Sequence, residues 1–197
     1  MKRRFAIIGH RVPTSGKLNL NDLAGSSGRI DVLARAVNTA LFLSHGIRQD
    51  VQVVLHLLGG PGPPRRIGFE SDTVRGLHPD ERAIAGQIGR ALKDPVPAIG
   101  QIKELHTGFW HSGGSISQTI AEWKKQDVEI YSLDANGESI NDRSYSDKKF
   151  GFILSDDQPF SESDLIAMEG ISQLSLGTQW LQGHACISII HHILDSN

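Results

Sequence analysis

Short apolar runs and segments with helical spacing alternate along this chain. Apolar runs typical of buried strands cover residues 5–9, 51–58, 128–133, 150–154 and 171–176. Helical spacing or helix-capping residues mark 29–44, 79–93, 115–126, 161–170 and the chain from about residue 184 onward. Strands that alternate with helices indicate an α/β fold with a mostly parallel sheet and helices on both faces.

Three segments depart from this alternation. Residues 10–28 are rich in Gly, Ser, Thr, Asn and Pro, and loops of this length are usually functional or disordered. Residues 59–64 read Gly-Gly-Pro-Gly-Pro-Pro, which regular structure does not accommodate. Residues 101–112 fit neither the strand nor the helix pattern, so their structure stays open.

Size and composition are typical of one compact domain. With 197 residues, 39% of them apolar, residues 1–197 are expected to form a single domain. The single cysteine excludes an internal disulfide and suits a reducing compartment. The apolar run at 5–9 is too short for a signal peptide or a membrane span. We therefore expect a cytoplasmic protein that does not associate with membranes.

Charge is distributed unevenly although the net charge is only −2. Residues 1–50 contain eight Lys or Arg residues against three acidic ones, and the acidic residues predominate afterwards. A basic segment on a mildly acidic body is compatible with a surface that faces a polyanion such as RNA. A well-solvated helix face explains the same pattern equally well.

The ends of three predicted strands favour a small-molecule site. Open α/β sheets bind ligands at the carboxyl ends of their strands, and turns are expected after Leu133, Leu154 and Leu176. Gly and small residues at such turns suit a nucleoside held mainly by backbone groups. The chain has no P-loop, no GxGxxG after its first strand and no HExxH, so neither a nucleotide triphosphate site nor a metal site is expected.

Cys186 allows two interpretations. As a nucleophile it would act with His184 or His191, which would make the protein a hydrolase. Its spacing with the isoleucines of the same segment instead places it on an apolar helix face, where it would be a small core residue or the wall of a pocket.

The segment 10–35 concentrates hydrogen-bond donors. Asn19, Asn21, Arg11, Arg29 and Arg35 suit contacts to phosphates and base edges. If a helix begins at residue 29, Asp31 and Arg35 lie four residues apart and can pair on one face. A surface ion pair of no functional consequence is the alternative interpretation.

Five short blocks of this sequence occur together in a known family. The blocks are Gly9-His10-Arg11, Asn19-Leu20-Asn21-Asp22-Leu23, Gly28-Arg29-Ile30-Asp31-Val32-Leu33, Ser175-Leu176-Gly177 and Cys186-Ile187. In this order they resemble the archaeal tRNA pseudouridine-54 N1-methyltransferases, a branch of the knotted SPOUT methyltransferases. The resemblance spans nearly the whole chain and is loose only at about 95–150.

The resemblance implies an α/β fold with a trefoil knot near the carboxyl end, working as a homodimer on tRNA. It also implies S-adenosylmethionine as the cofactor, held by residues that correspond here to Leu133, Ser155, Ser175, Leu176, Gly177, Thr178, Gln179, Trp180 and Cys186. The chain departs from the family at Ser155, where Gly is usual, around Thr178 to Trp180, where Pro or a small residue is usual and Trp180 is bulky, and at His192, where Asn is usual.

N1 of pseudouridine carries a weakly acidic hydrogen, so its methylation requires loss of that proton and alignment of the nitrogen. Candidates for orienting N1–H or accepting its proton are Asp31 and Asp22. Arg29 is a third candidate catalytic residue. Phosphate contacts are expected from Arg11, Arg29, Arg35 and Arg48, and base-edge contacts from Asn19 and Asn21.

Two further functions stay open at this point. A related knotted enzyme would methylate a pseudouridine of ribosomal RNA. A protein that has lost its cofactor would bind RNA without catalysis, which the departures at Ser155 and Trp180 permit.

Overall fold

The structure of the chain, a computed structural model, describes residues 3–143, 145 and 148–196. The elements in chain order are β1 (Arg3–Pro13), α1 (Ile30–Leu41), β2 (Phe42–Leu43), β3 (Gly46–Ile47), β4 (Val51–Gly59), β5 (Arg65–Glu70), α2 (Glu81–Ala91), β6 (Lys103–His106), β7 (Phe109–Gly113), α3 (Ile116–Lys125), β8 (Val128–Ser139), a 3-10 helix (Ile140–Asp142), β9 (Lys149–Ser155), α4 (Glu162–Ala167), β10 (Ser172–Ser175) and α5 (Gly183–Asp195). Within the described ranges, no helix combines the length and apolarity that a bilayer crossing requires.

One large sheet carries the fold, with strand order β10-β8-β9-β1-β4-β5-β7-β6. The first five strands in this order are parallel, and β5, β7 and β6 continue the sheet in antiparallel pairing. Strands β2 and β3 form a separate antiparallel pair after α1. Because β1 pairs with β9 on one side and with β4 on the other, the amino-terminal strand lies inside the parallel part of the sheet.

Helices cover both faces of the sheet. Along β1, Phe5 and Ile7 point into a core shared with α1, α2 and α5, whereas Ala6 and Ile8 point into a second core that contains Trp123 of α3. This alternation follows from the two-residue period of a strand buried on both faces. The predicted α/β fold with a mostly parallel sheet is therefore confirmed, while the trefoil knot stays a prediction.

The apolar pattern does not predict β5, and β6 and most of β7 lie in the segment 101–112 that fits neither pattern. Each of these strands contains polar or charged residues, and two of them, Arg65 and Arg66, are completely buried in β5. Arg66 donates to both carboxylate oxygens of Glu122 at 2.8 and 2.9 Å. Arg65 donates to the carbonyl oxygen of Asp94 and to Nδ1 of His111. Buried arginines whose terminal nitrogens find partners of this kind interrupt the apolar pattern from which strands are predicted.

Candidate functional site

A cavity of about 590 Å³ lies at the carboxyl edge of the parallel strands, a volume typical of small-molecule sites. It is bordered by residues that follow β9 and β10, by the bulge in β8, by the start of α5 and by α1. Its apolar wall consists of Leu133, Leu154, Leu174, Leu176 and Cys186. The crevice that the sequence predicts at the three strand ends is thus present.

The turn predicted after Leu133 is a bulge and not the end of a strand. Strand β8 continues to Ser139, but its pairing with β10 jumps from Ser132 opposite Gln173 to Glu138 opposite Leu174. The residues in between leave the ladder, and Leu133, Asp134 and Ala135 line the cavity. The prediction of a strand end was wrong, yet the chain does open toward the site at that position.

Ser175 and Gly177 organise the turn after β10. The Ser175 hydroxyl donates to the carbonyl oxygen of Ala135 at 3.0 Å, and the Gly177 N–H donates back to the Ser175 oxygen at 3.1 Å. Gly177 has a φ of 123°, which L side chains rarely adopt. Gly177 and Leu176 line the cavity, whereas Ser175 ties the two loops together without lining it.

The remaining predicted cofactor residues divide into two groups. Ser155, Gln179 and Trp180 line the cavity, and Thr178 does not. The Ser155 hydroxyl donates to the carbonyl oxygen of Gln158, so it closes the turn after β9. The Trp180 side chain lies at the mouth of the cavity and is 81% exposed. The cofactor role of these residues stays a prediction.

The chemistry of the cavity fits S-adenosylmethionine. An apolar wall suits an adenine ring, and the backbone groups around Ala135 and Leu176 can bond to its edge. Asp134, which also lines the cavity, can accept hydrogen bonds from ribose hydroxyls or from an ammonium group. These residues would hold the cofactor, with Cys186 as part of the wall.

Two arginines at the start of α1 and within it border the cavity from the other side, and one aspartate holds both of them. Arg29 donates from Nε and Nη2 to the two carboxylate oxygens of Asp31, at 2.9 and 3.2 Å, and Arg35 donates from Nη2 to the same carboxylate. The predicted i,i+4 pair of Asp31 and Arg35 is confirmed. Arg29 and Arg35 line the cavity, while Asp31 is buried behind them and does not.

The pKa of Asp31 lies below its ordinary value. Burial favours the protonated form, but the hydrogen bonds and charges of Arg29 and Arg35 outweigh burial. A carboxylate with a lowered pKa is a poor proton acceptor. Asp31 is therefore better suited to hold the two guanidinium groups than to remove a proton.

Arg11 and Arg29 meet at a second carboxylate on the cavity wall. Asp157 accepts a hydrogen bond from Nη1 of Arg29 at 3.1 Å and another from Arg11. The pKa of Asp157 is lowered because the two arginines outweigh the effect of partial burial. About half of the Arg11 side chain is exposed, so its guanidinium can still reach a phosphate.

Two consecutive left-handed residues aim Arg29 at the cavity. Gly28 and Arg29 have φ values of 65° and 67°, just before α1 begins at Ile30. A Cβ atom at Gly28 would lie 2.2 Å from the carbonyl oxygen of Arg11. Only glycine allows this approach, which packs the loop against the end of β1.

The other predicted residues of the loop stabilise the loop itself. Asp22 accepts hydrogen bonds from the backbone N–H groups of Gly25 and Ser26, at 2.9 and 2.8 Å. The Asn19 side chain accepts from the N–H of Asn21 and donates to Ser26. Asp22, Asn19 and Asn21 do not line the cavity. The structure thus shows Asp22 stabilising the loop, and a catalytic role for it stays a prediction.

Arg48 belongs to a different part of the surface. It donates to both carboxylate oxygens of Asp195, near the end of α5, at 3.3 and 2.8 Å. Arg3 binds the same carboxylate at 2.6 Å. The structure does not bring Arg48 together with Arg29 and Arg35 at the cavity, or with Arg11 beside Asp157.

A histidine and two carboxylates that the sequence analysis did not assign support the floor of the site. His10 donates its backbone N–H to Asp156 at 2.8 Å, and its ring nitrogens lie 2.9 Å from carboxylate oxygens of Asp156 and Asp164. Burial lowers the pKa of His10, but the two carboxylates outweigh burial and raise it above its ordinary value. A signal for Asp156 was present in the sequence. Asp156 and Asp157 follow closely after the predicted strand 150–154, and residues in that position lie at the edge of the sheet where ligands bind.

The cysteine is a pocket wall and not an activated nucleophile. Cys186 is half-buried on the first turns of α5, and burial raises the pKa of its thiol. His191 turns away toward α1, with Nε2 3.1 Å from the carbonyl oxygen of Ala40. A hydrolase would need a lowered pKa or an adjacent base.

Known proteins resemble this chain along its whole length. Residues 2–197 match the model of a family described as SAM-dependent RNA methyltransferase, where SAM is S-adenosylmethionine. A tRNA (pseudouridine(54)-N(1))-methyltransferase of Methanococcoides burtonii is 38% identical, over 99% of this chain and 96% of the relative. The enzyme of the same name from Methanocella arvoryzae is also 38% identical, over 96% of both chains.

The crystal structure of Archaeoglobus fulgidus Nep1 bound to S-adenosylhomocysteine has a similar fold. The TM-score is 0.66, and the match covers 100% of this chain and 98% of that chain. Only 13% of the aligned residues are identical, so this likeness concerns the fold alone.

Proposed function

The chain belongs to the family of S-adenosylmethionine-dependent RNA methyltransferases, and we propose that it methylates N1 of pseudouridine 54 in tRNA. Two relatives at 38% identity that bear this activity in their names support the substrate. The observation that carries the proposal is the pair Arg29 and Arg35, held by Asp31 on the wall of a cavity that fits the methyl donor.

The reaction determines what the site must do. S-adenosylmethionine supplies an electrophilic methyl group on a sulfonium ion. N1 of pseudouridine is a weak nucleophile as long as it carries its hydrogen, so negative charge must develop on the ring as that proton leaves, before the nitrogen and the methyl group are fully bonded. Fixed positive groups next to the ring lower the cost of that charge, especially at a site that excludes water.

Arg29 and Arg35 are suited to this role. A guanidinium stays charged at any physiological pH and offers five donors in a fixed plane. The Asp31 carboxylate accepts from three of these N–H donors, Asp157 accepts from Nη1 of Arg29, and the carbonyl oxygen of Asp31 accepts from Nε of Arg35. The remaining N–H groups can donate to pyrimidine oxygens or a phosphate. We assign Asp31 to positioning, and the displaced proton leaves to solvent at the open mouth of the cavity.

Arg11 is the residue proposed to contact the tRNA backbone next to the site. Arg11, with half of its side chain exposed, lies next to Asp157 and Arg29 and is placed to bind a phosphate that flanks the target nucleotide. An RNA loop presents an unstacked base far more readily than a duplex, which suits a target in the T-loop. Arg48 lies elsewhere and contributes little to this contact.

We further propose that the enzyme works as a homodimer in the cytoplasm, as the family resemblance implies. Light scattering after size-exclusion chromatography measures the mass directly. A mass twice that of the 21.5 kDa chain supports the dimer, and a monomer at micromolar concentration rejects it.

Nucleoside mass spectrometry tests the proposed substrate against both alternatives. The protein is incubated with S-adenosylmethionine and either tRNA or ribosomal RNA, each containing pseudouridine. We expect N1-methylpseudouridine in the tRNA only. Methylation confined to ribosomal RNA supports the first alternative, and binding of tRNA without methylation supports the non-catalytic one.

A further inference from the structure

Trp180 differs from the other two tryptophans of the chain in its exposure. Its side chain is 81% exposed, whereas Trp110 and Trp123 are 8% and 2% exposed and lie in the second core. Within the described part of the chain, the indole N–H of Trp180 has no hydrogen-bond partner. An indole ring left in water at the mouth of a cavity is a typical feature of a binding surface.

The surroundings of Trp180 are apolar on its own side of the cavity mouth. Leu165 of α4 and Leu181 also line the cavity, and they are 52% and 40% exposed. The same cavity is lined by Arg29 and Arg35. Exposed aromatic and apolar groups next to guanidinium groups are what single-stranded RNA requires, because bases stack and phosphates need positive charge.

We propose that Trp180 stacks on an unpaired nucleobase of the RNA beside the target pseudouridine. This inference rests on the proposed function and adds a contact to an RNA base that is not stacked within a duplex. Stacking on an indole is tolerant of base identity, so Trp180 contributes affinity and position and does not select a sequence.

S-adenosylmethionine is a less suitable partner for the Trp180 ring than RNA is. A ligand held in a cavity is covered on most of its surface, and the apolar wall for such a ligand is already provided by Leu133, Leu154 and Leu176. Trp180, with four-fifths of its surface in solvent, contacts what approaches the cavity from outside. The proposal therefore gives Trp180 a contact with RNA in place of the cofactor contact that the family resemblance implies.

Intrinsic fluorescence tests this proposal directly, because Trp180 is the exposed one of three tryptophans. The ligands are a T-loop RNA hairpin that contains pseudouridine and, separately, S-adenosylhomocysteine. We expect the hairpin to quench the emission and S-adenosylhomocysteine alone to leave it nearly unchanged. In the Trp180→Leu variant the quenching is lost.

Affinity and kinetics give a second measurement. Trp180→Leu keeps an apolar side chain without the aromatic face and should bind the hairpin roughly 5- to 150-fold more weakly. Its KM for RNA rises, whereas its KM for S-adenosylmethionine and its thermal midpoint stay unchanged. Trp180→Phe restores most of the affinity. Ile99→Ala, which changes an exposed residue away from the cavity, is the matched control.

Each other outcome overturns the proposal in a distinct way. Quenching by S-adenosylhomocysteine without RNA assigns the ring to the cofactor. An emission maximum that shifts on dilution, together with a falling mass, assigns it to the contact with a second copy. If Trp180→Leu and the wild type bind the hairpin with equal affinity, the stacking role of Trp180 is rejected and the proposed function stands. Failure of the wild type to bind the hairpin rejects both this proposal and the proposed function.

Discussion

Asp31 holds Arg29 from behind, with Oδ1 2.9 Å from Nε and Oδ2 3.2 Å from Nη2. This two-point contact fixes the plane of the guanidinium, because a carboxylate and a guanidinium match in geometry. Arg29 is thereby presented to the cavity while Asp31 stays buried. The relationship makes the carboxylate a positioning group and gives the arginines the direct contact with substrate.

The Asp31→Asn variant tests this division of roles. The amide keeps the size of the side chain but can no longer accept from both arginines, so the guanidinium groups lose their fixed position. We expect kcat to fall about 100-fold, with the affinity for S-adenosylhomocysteine unchanged. Steady-state kinetics and calorimetry measure the two quantities. Asp94→Asn, which breaks an exposed pair with Lys103, is the control. An unchanged kcat in Asp31→Asn would reject the assignment.

Three buried histidines should make the protein sensitive to acid. The pKa values are lowered from 6.5 to about 3 for His56, about 4 for His111 and about 4 for His191, in each case mainly by burial. Below pH 6.5 these histidines bind protons in the unfolded chain but not in the native state. The free energy of unfolding therefore falls as the pH falls toward 4. The slope is about 1.4 kcal/mol per pH unit for each histidine.

Urea unfolding between pH 7 and 4 measures this slope, and the His56→Leu variant isolates one contribution. Among the residues that the structure describes, neither ring nitrogen of His56 has a hydrogen-bond partner, so leucine should be tolerated or stabilising. The variant is expected to show a slope smaller by about 1.4 kcal/mol per pH unit. Identical slopes for variant and wild type would contradict the explanation.

His10 should act in the opposite direction at higher pH. Its folded-state pKa is raised above 6.5, so its contribution is complete below pH 6.5 and disappears as the pH rises through the raised value. Thermal unfolding should therefore show a decreasing midpoint above pH 6.5. The His10→Gln variant, which cannot become charged between Asp156 and Asp164, is expected to be less stable and to show a flatter profile. Parallel profiles would exclude this role.

Cys186 reports on the occupancy of the cavity, since it is the single cysteine and lines the wall. Its raised pKa predicts slow alkylation by iodoacetamide at neutral pH. Saturating S-adenosylhomocysteine should slow the reaction further by covering the thiol, whereas the RNA hairpin alone should have little effect. Labelling at the same rate with and without S-adenosylhomocysteine would place the cofactor elsewhere. Cys186→Ala is expected to keep its methyl transfer activity.

The sequence predicts the elements that have a regular apolar pattern and fails where charge is buried. The helix expected at 29–44 is observed as Ile30–Leu41, and the strand expected at 51–58 as Val51–Gly59. Strand β5 escaped prediction because Arg65 and Arg66 bond to groups far along the chain. No local pattern contains that information.

The site could be predicted in outline and not in its contacts. Strand ends identify the ligand edge because parallel strands share one, and the Asp31–Arg35 pair follows from helix spacing. The contact of Arg11 with Asp157 joins residues 146 positions apart, and His10 lies as far from Asp156. Such partners depend on the order of strands in the sheet, which the apolar pattern does not determine.

The most direct test of the central claim uses two T-loop RNA hairpins that differ in one nucleotide. One carries pseudouridine at the position of nucleotide 54, and the other carries uridine, whose N1 is bonded to ribose and has no hydrogen. The wild-type enzyme and labelled S-adenosylmethionine should produce N1-methylpseudouridine in the first hairpin and no methylated nucleoside in the second. Equal methylation of both hairpins, or of neither, would contradict the assignment of this site to pseudouridine N1.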